Sequence, residues 1–306
     1  MKVFYNTEDA MGQLKKTVVT TGSFDGVHIG HKTIIDRLNE LANNIEGEST
    51  LVTFHPHPRK VLYPQQTDLK LINSQEEKIE LLSKTKLDNL IIIPFTVEFS
   101  KTTSHNFITQ ILIGQLKAKI IVVGQNHHFG HNRTGDFTYL DELSEQMGFQ
   151  LEDIPLKDIE NETVSSTKIR KALMEGNIMR ANAYLDHQYI MTGIMDKAYS
   201  VQELSNKSLQ RINLPEEEKL IPPSGIYATN LFVEGDFLKS MTIIKHSLHD
   251  GSVIENLLIH DDRDLTNKKA TLYFYKKIKG IETSSENGIK IQEVQEAIEE
   301  IEELIY

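Results

Sequence analysis

The chain has 306 residues and 39% hydrophobic content, more than one core usually organises, so two domains are expected. Its 33 basic against 44 acidic side chains leave a formal charge of −11, which disfavours broad attachment to nucleic acid or anionic lipid and demands a local cationic pocket for any anionic ligand. The absence of cysteine excludes disulfides, thiolate nucleophiles and cysteine-ligated zinc or iron–sulfur centres.

Met1–Lys16 lacks a basic start followed by an apolar core, and no apolar run approaches the roughly 20 residues that cross a bilayer. The expectation is a soluble cytoplasmic protein. Short β-branched runs then alternate with amphipathic stretches: strands are predicted at Thr17–Thr21, Thr50–Phe54, Leu90–Pro94, Lys119–Val123 and Gln150–Ile154. Helical spacing predicts His31–Asn44, Ser74–Thr85, Ser104–Ile113 and Tyr139–Met147 between them. This order predicts a doubly wound parallel sheet that binds ligands at the carboxyl ends of its strands.

After Pro155 the texture changes. Helices are predicted at Ser166–Glu175 and Ile178–Leu185, punctuated by Gly176, and strands at Tyr189–Met195, Gly225–Val233, Leu238–Lys245, Val253–Ile259 and Ala270–Lys276. That pattern suggests an antiparallel barrel or sandwich, closed by an acidic amphipathic helix at Ile291–Ile305. With the boundary near Leu185, the expected domains are 1–184 and 185–306. The acidic cluster Glu216–Glu218 and the Glu-rich tail read as solvated faces.

Chemistry concentrates where the first long strand meets its helix, in Gly22-Ser23-Phe24-Asp25-Gly26-Val27-His28-Ile29-Gly30-His31. Glycines in such a turn let backbone amides approach phosphate oxygens, and the helix N-terminus adds partial positive charge. His28 and His31, three apart, fall on one helical face and can donate hydrogen bonds to a polyphosphate as charge develops on phosphorus. An isolated His pair of this spacing is more often surface decoration or half a metal site; its position on a glycine turn between strand and helix reverses those odds.

This stretch resembles the G-x-F-D-G-x-H-x-G-H motif of the nucleotidyltransferase superfamily, whose members transfer a nucleotidyl group and release pyrophosphate. Three further segments are similar to bacterial FAD synthetases: Phe54-His55-Pro56-His57-Pro58, Val123–Asp136 and Val164-Ser165-Ser166-Thr167-Lys168-Ile169-Arg170. The resemblance implies a Rossmann-like domain that binds ATP through Gly22, Ser23, Phe24, Asp25, Gly26, His28, Gly30, His31, Ser166, Thr167 and Arg170. His28, His31 and Arg170 would be catalytic, while His57, Pro58, Asn126, Phe129, Arg133 and Asp136 would bind FMN. Asn126 or Asp136 would help to hold Mg²⁺ or the flavin, or make an ordinary N-cap or loop hydrogen bond. Ser166 and Thr167 likewise read either as half of a phosphate clamp or as a plain helix cap. One departure is His127, where the family carries Phe.

In that family the C-terminal half is usually a riboflavin kinase barrel. Pro223-Ser224-Gly225-Ile226-Tyr227-Ala228 and Ile254–His260 resemble two of its segments, the second implying Glu255 as the kinase base. The family's nucleotide loop, approximately G-x-V-x-x-G-x-x-x-G-R-x-L-G-F-P-T-A-N, aligns here from Gly193. Its inner glycines become Ala198, Gln202 and Asn206, its Arg becomes Glu203, and P-T-A-N becomes Ser208-Leu209-Gln210-Arg211. Those changes remove the phosphate-seating backbone and the Thr and Asn ligands, so the second domain is expected to have lost kinase activity and to be structural, flavin-binding or regulatory. The resulting expectation is an FMN adenylyltransferase that makes FAD and pyrophosphate from FMN and ATP with Mg²⁺. It would act on small nucleotides and flavins, without nucleic-acid or membrane partners. The rivals are a bifunctional kinase and synthetase, a catalytically silent flavin-responsive protein, and a nucleotidyltransferase with another acceptor.

Overall fold

The computed structural model describes residues 1–65, 69–124, 137–154, 158–159, 162–200, 208–215, 218–247, 251–281 and 291–304. Contacts divide the chain into two compact units, Met1–Leu69 with Lys78–Val164, and Lys70–Glu77 with Ser165–Tyr306.

The first part of the chain runs β1 (Lys2–Phe4), α1 (Thr7–Ala10), β2 (Thr17–Thr21), α2 (Ile29–Asn44), β3 (Glu48–His55), α3 (Pro58–Leu62), α4 (Gln75–Ser83) and β4 (Asn89–Pro94). It continues through α5 (Ser104–Asn106), extended as a π-helix over Phe107–Gln115, then β5 (Ala118–Gly124), α6 (Phe137–Met147) and β6 (Gln150–Ile154). A short ladder of β7 (Asp158–Ile159) and β8 (Glu162–Thr163) follows.

Six parallel strands lie in the order β1-β4-β3-β2-β5-β6. From β2 the chain winds outward one way through β3 and β4, then returns to β5 on the other side, so the strand order reverses between β2 and β5. In such sheets the ligand crevice opens at that switch point, beyond the carboxyl ends of the strands. The unbroken apolar and threonine run of β2 suits a strand covered on both faces. Val19 packs with Val52, Ile121, Leu112 and Leu143 on one face, while Val18 packs with Leu38 and Ala42 of α2 on the other. The predicted doubly wound sheet is present, with β1 as an additional edge strand too short to show a periodicity.

The remainder runs α7 (Ser166–Met174), α8 (Ile178–Leu185), β9 (Tyr189–Met195), β10 (Tyr199–Ser200), β11 (Ser208–Asn213), β12 (Gly225–Val233), β13 (Asp236–Ser247), β14 (Gly251–Leu258), β15 (Lys269–Gly280) and α9 (Ile291–Leu304). Antiparallel pairing proceeds β11-β14-β13-β12-β15-β9, and β9 pairs back to β11, closing a six-stranded barrel. Closure depends on β11, the segment in which the sequence comparison registers only losses. Tyr189, Tyr227 and Phe274 are fully buried together, and α9 seals another cluster with Val294, Ala297 and Ile301 against Ile226, Met241, Ile243 and Leu257.

The packing division at Val164/Ser165 precedes the boundary expected near Leu185 because α8 is bonded into the barrel. Asn182 Nδ2 donates to the Phe274 carbonyl at 2.8 Å and its Oδ1 accepts from the Tyr189 amide at 2.7 Å. The segment Lys70–Glu77 joins the same unit through Leu71, whose amide donates to Glu218 O at 2.8 Å and whose carbonyl accepts from Leu220 N at 2.8 Å. Among the described residues no helix is long and apolar enough to cross a membrane.

Candidate active site

The turn from β2 to α2 is tight. Phe24 and Val27 adopt φ of 47° and 43°, conformations costly for an aromatic and a β-branched residue, with Gly26 at φ 95° between them. Both strained side chains are buried, as is Asp25, so the surrounding packing holds the bend in shape. Ser23 is anchored from the neighbouring strand, its carbonyl accepting from Thr53 Oγ1 at 3.3 Å.

His28 is the N-cap of α2, its Nδ1 accepting from the His31 amide at 3.4 Å. An accepting Nδ1 puts the ring proton on Nε2, which remains a donor. The two imidazoles stack with ring centroids 3.6 Å apart, and Phe24 stacks on His31 at 4.5 Å. A Cβ at Gly30 would come within 3.3 Å of His28 Cε1 and Nδ1, which explains glycine at that position. Burial, then the charges of His28 and Lys78, hold His31 well below the ordinary histidine range. Its Nδ1 is buried and has no hydrogen-bond partner among the described residues. A buried polar atom left unmade in a strained bend beside the switch point marks a place for a ligand.

Gly22, Ser23, Phe24, Asp25, Gly26, His28, Gly30 and His31 are therefore assembled in one continuous structure. Just beyond the adjacent strand β3, His57 caps α3 and Pro58 begins it, with His57 Nδ1 accepting from Arg59 N at 3.2 Å. Ser166, Thr167 and Arg170 occupy α7 in the second unit. The cap of that helix is Ser165, whose Oγ accepts from Lys168 N at 3.4 Å, so the capping role belongs to the residue before the predicted pair. Arg170 Nε donates to the Lys70 carbonyl at 3.0 Å, which fixes the base of its fork. Asn126, His127, Phe129, Arg133 and Asp136 lie outside the described residues, as do Gln202, Glu203 and Asn206.

Among the described residues no group of three or more His, Asp or Glu side chains could hold a metal ion. Asn126, the candidate Mg²⁺ ligand, lies outside the described residues. Buried Lys78 was not singled out in the sequence; a lysine on an amphipathic helix carries no local sign that it charges the surroundings of His31.

In the barrel, Glu255 is 3% exposed. Tyr199 donates its hydroxyl to Oε1, Lys245 Nζ lies 2.9 Å from Oε2, and Arg211 Nε lies 3.7 Å from Oε1. Burial by itself would raise the Glu255 carboxyl, but the Tyr199 and Lys245 hydrogen bonds and the two cationic charges outweigh it and hold the group below the ordinary range. Burial, with the Glu255 bond and charge, pushes the Tyr199 phenol far up. Arg211 faces Glu255 directly in the β11–β14 register, a relation that only strand pairing reveals.

Residues 10–168 match the family described as FAD synthetase. The chain belongs to the FAD synthetase family. It is thus a nucleotidyltransferase carrying an FMN adenylyltransferase domain, and residues 187–303 match the riboflavin kinase family. A bifunctional riboflavin kinase/FMN adenylyltransferase from Listeria monocytogenes is 28% identical over 279 residues, covering 90% of this chain and 84% of that one. The Escherichia coli (strain K12) protein of the same name is 27% identical over 220 residues, covering 72% and 69%. A crystal structure described as a macrolide-efflux protein from Streptococcus pneumoniae shares the fold, with a TM-score of 0.85 and 21% identity, covering 99% of this chain and 97% of that one.

Proposed function

We propose that the chain is an FMN adenylyltransferase without riboflavin kinase activity, with residues 1–184 performing the transfer and 185–306 a kinase-like barrel that has left its own reaction. A phosphate oxygen of FMN attacks the α-phosphorus of ATP in line; the new P–O bond gives FAD as the bond to the β-phosphate oxygen breaks and pyrophosphate departs. Mg²⁺ would travel on the nucleotide's phosphate oxygens and neutralise charge there. The bend Gly22–Gly30 seats the phosphates, His28 and His31 donate to them, and Ser166, Thr167 and Arg170 supply a second set of contacts. His57, Pro58, Asn126, Phe129, Arg133 and Asp136 are assigned to FMN.

The observation that carries the adenylyl-transfer part is the stacked His28/His31 pair on a strained glycine bend, with a buried His31 nitrogen lacking a partner. Loss of the kinase step is supported by β11. Leu209 there is a buried core residue, Gln210 is buried with its Nε2 donating to Asp264 Oδ1 at 3.2 Å, and Arg211 faces the carboxylate implied as the base. A carboxylate held anionic by two cations and a phenol is a poor proton acceptor. Cysteine-free composition and small soluble substrates support a cytoplasmic location.

The second reading, a bifunctional enzyme, is favoured by the family match across 187–303. Chromatography of products from ATP and Mg²⁺ incubated separately with FMN and with riboflavin decides between them. The proposal expects FAD from FMN and no FMN from riboflavin; no FAD from FMN would overturn the first part, and FMN from riboflavin the second.

A further inference from the structure

Strand β15 ends in three lysines with different fates. Lys276 Nζ reaches Glu300 at 2.9 Å and Lys279 Nζ reaches Glu293 at 3.1 Å, both on α9. Among the described residues no carboxylate pairs with Lys277, although its side chain is half-buried. Glu175 nearby is engaged with Lys171 at 3.9 Å.

The lysine stem runs through a built channel. A Cβ at Gly176 would stand 2.9 Å from Lys277 Cδ, and one at Gly225 2.6 Å from Lys277 Cε, so two glycines clear its path. Nζ ends 5.8 Å from the centroid of the Tyr227 ring. There it enters the wall of a cleft of about 380 Å³, shared with Glu175, Gly176, Asn177, Ile178, Met179 and Ile278. Desolvation lowers the Lys277 ammonium from its ordinary range, and among the described residues no carboxylate lies at ion-pair distance from it. A partly desolvated ammonium that no described carboxylate pairs is open to the negative charge of a ligand.

We propose that this cleft binds a phosphate-bearing small molecule, with Lys277 as the anchoring cation and Met179 and Ile278 against the ligand's apolar part. Lysine offers a compact point charge with rotating donors, which suits a tetrahedral, multiply charged phosphate; planar bidentate recognition of a carboxylate is the province of arginine. Lys276 and Lys279 at the rim are already neutralised by Glu300 and Glu293, which leaves Lys277 as the anchoring charge. The site lies wholly in the second unit and stands whether or not the kinase step is absent.

The test is residue-resolved acetylation of the intact wild-type protein, read by mass spectrometry, with inorganic pyrophosphate, FMN or acetate added in separate arms. Pyrophosphate or FMN at ten times its dissociation constant slows labelling of Lys277 roughly tenfold, by simple mass action, while Lys276 and Lys279 label as before. Protection by FMN alone assigns the ligand's apolar part a necessary role; protection by pyrophosphate assigns the phosphate as sufficient. Unchanged Lys277 labelling with both, equal protection by acetate, or equal slowing of all three lysines overturns the proposal. The Lys277→Met variant, outside the transfer machinery, makes FAD at the wild-type rate.

Discussion

His28 and His31 lie face to face, their planes only 17° from parallel, with the first capping the helix that carries the second. A cap and the proposed phosphate donor thus share one side chain, and substitution must separate the two roles. His28→Asn retains a good capping residue, so its melting temperature stays within a few degrees of wild type while kcat for FAD formation falls by roughly 10²–10³-fold, the usual loss for one charge-stabilising donor. His28→Ala adds about 1 kcal/mol of destabilisation through the lost cap. Equal rates for wild type and His28→Asn would remove the ring from the mechanism.

Because His31 is held below its ordinary value in the folded protein, the unfolded chain takes up this proton first as pH falls. Its contribution to stability is complete above the unfolded value of 6.5 and is lost as pH drops from there through the folded value. Urea midpoints measured between pH 8 and 5 decline on acidification, and His31→Gln flattens that decline. A curve of identical slope in the variant would show that the residue is not the titrating group.

Lys219 and Glu77 form an ion pair at 2.5 Å with side chains 2% and 1% exposed. Lys219 also donates to the Ile72 and Ile190 carbonyls at 2.6 and 2.7 Å, and Glu77 accepts from the Thr192 and Ser74 amides at 2.8 and 2.9 Å. Lys219→Met leaves a buried carboxylate uncompensated and costs ~3–5 kcal/mol. The double variant Lys219→Met with Glu77→Gln costs less than the sum of the singles, measured by chemical denaturation.

Gly193 sits where β9 meets β11, and a Cβ there would stand 2.4 Å from the Asn213 carbonyl oxygen. Gly193→Ala therefore strains the closure of the barrel and destabilises the second unit by ~1–3 kcal/mol. Hydrogen exchange should accelerate at Ile194 and Ile212 before it does in β12 or β13; uniform exchange would contradict a local closure defect.

Glu255, held below its ordinary 4.5 in the folded state, contributes stability that is present above that value and lost as pH falls beneath it. Glu255→Gln leaves Arg211 and Lys245 without their shared anion and lowers the urea midpoint at pH 7. The gap to wild type narrows as acid protonates the native carboxyl, and a gap independent of pH would point to packing alone.

Much of the first unit was legible because its information is local. A β-branched run, a glycine turn and a helical period follow one another within Thr17–Asn44, and the bend they make carries its own histidines. Strand order, by contrast, required β2 to choose β3 and β5 as neighbours, a choice made by burial on both faces. The sequence left Ser166 and Thr167 open between a phosphate clamp and a plain cap; backbone geometry gives the cap to Ser165, because cap position depends on where the chain turns from extended to helical.

By itself the sequence determined the reaction class, the α/β and β composition of the halves, and the place of the glycine bend that is proposed to seat phosphates. The tertiary structure decided that Ser208–Asn213, poor in apolar residues, is the strand closing the barrel, that Arg211 meets Glu255, that Lys219 neutralises Glu77, and that Lys277 is left with no acid among the described residues. Local propensity is encoded in neighbours along the chain; the pairing of charges and the closing of a sheet depend on groups brought together only when the core excludes water.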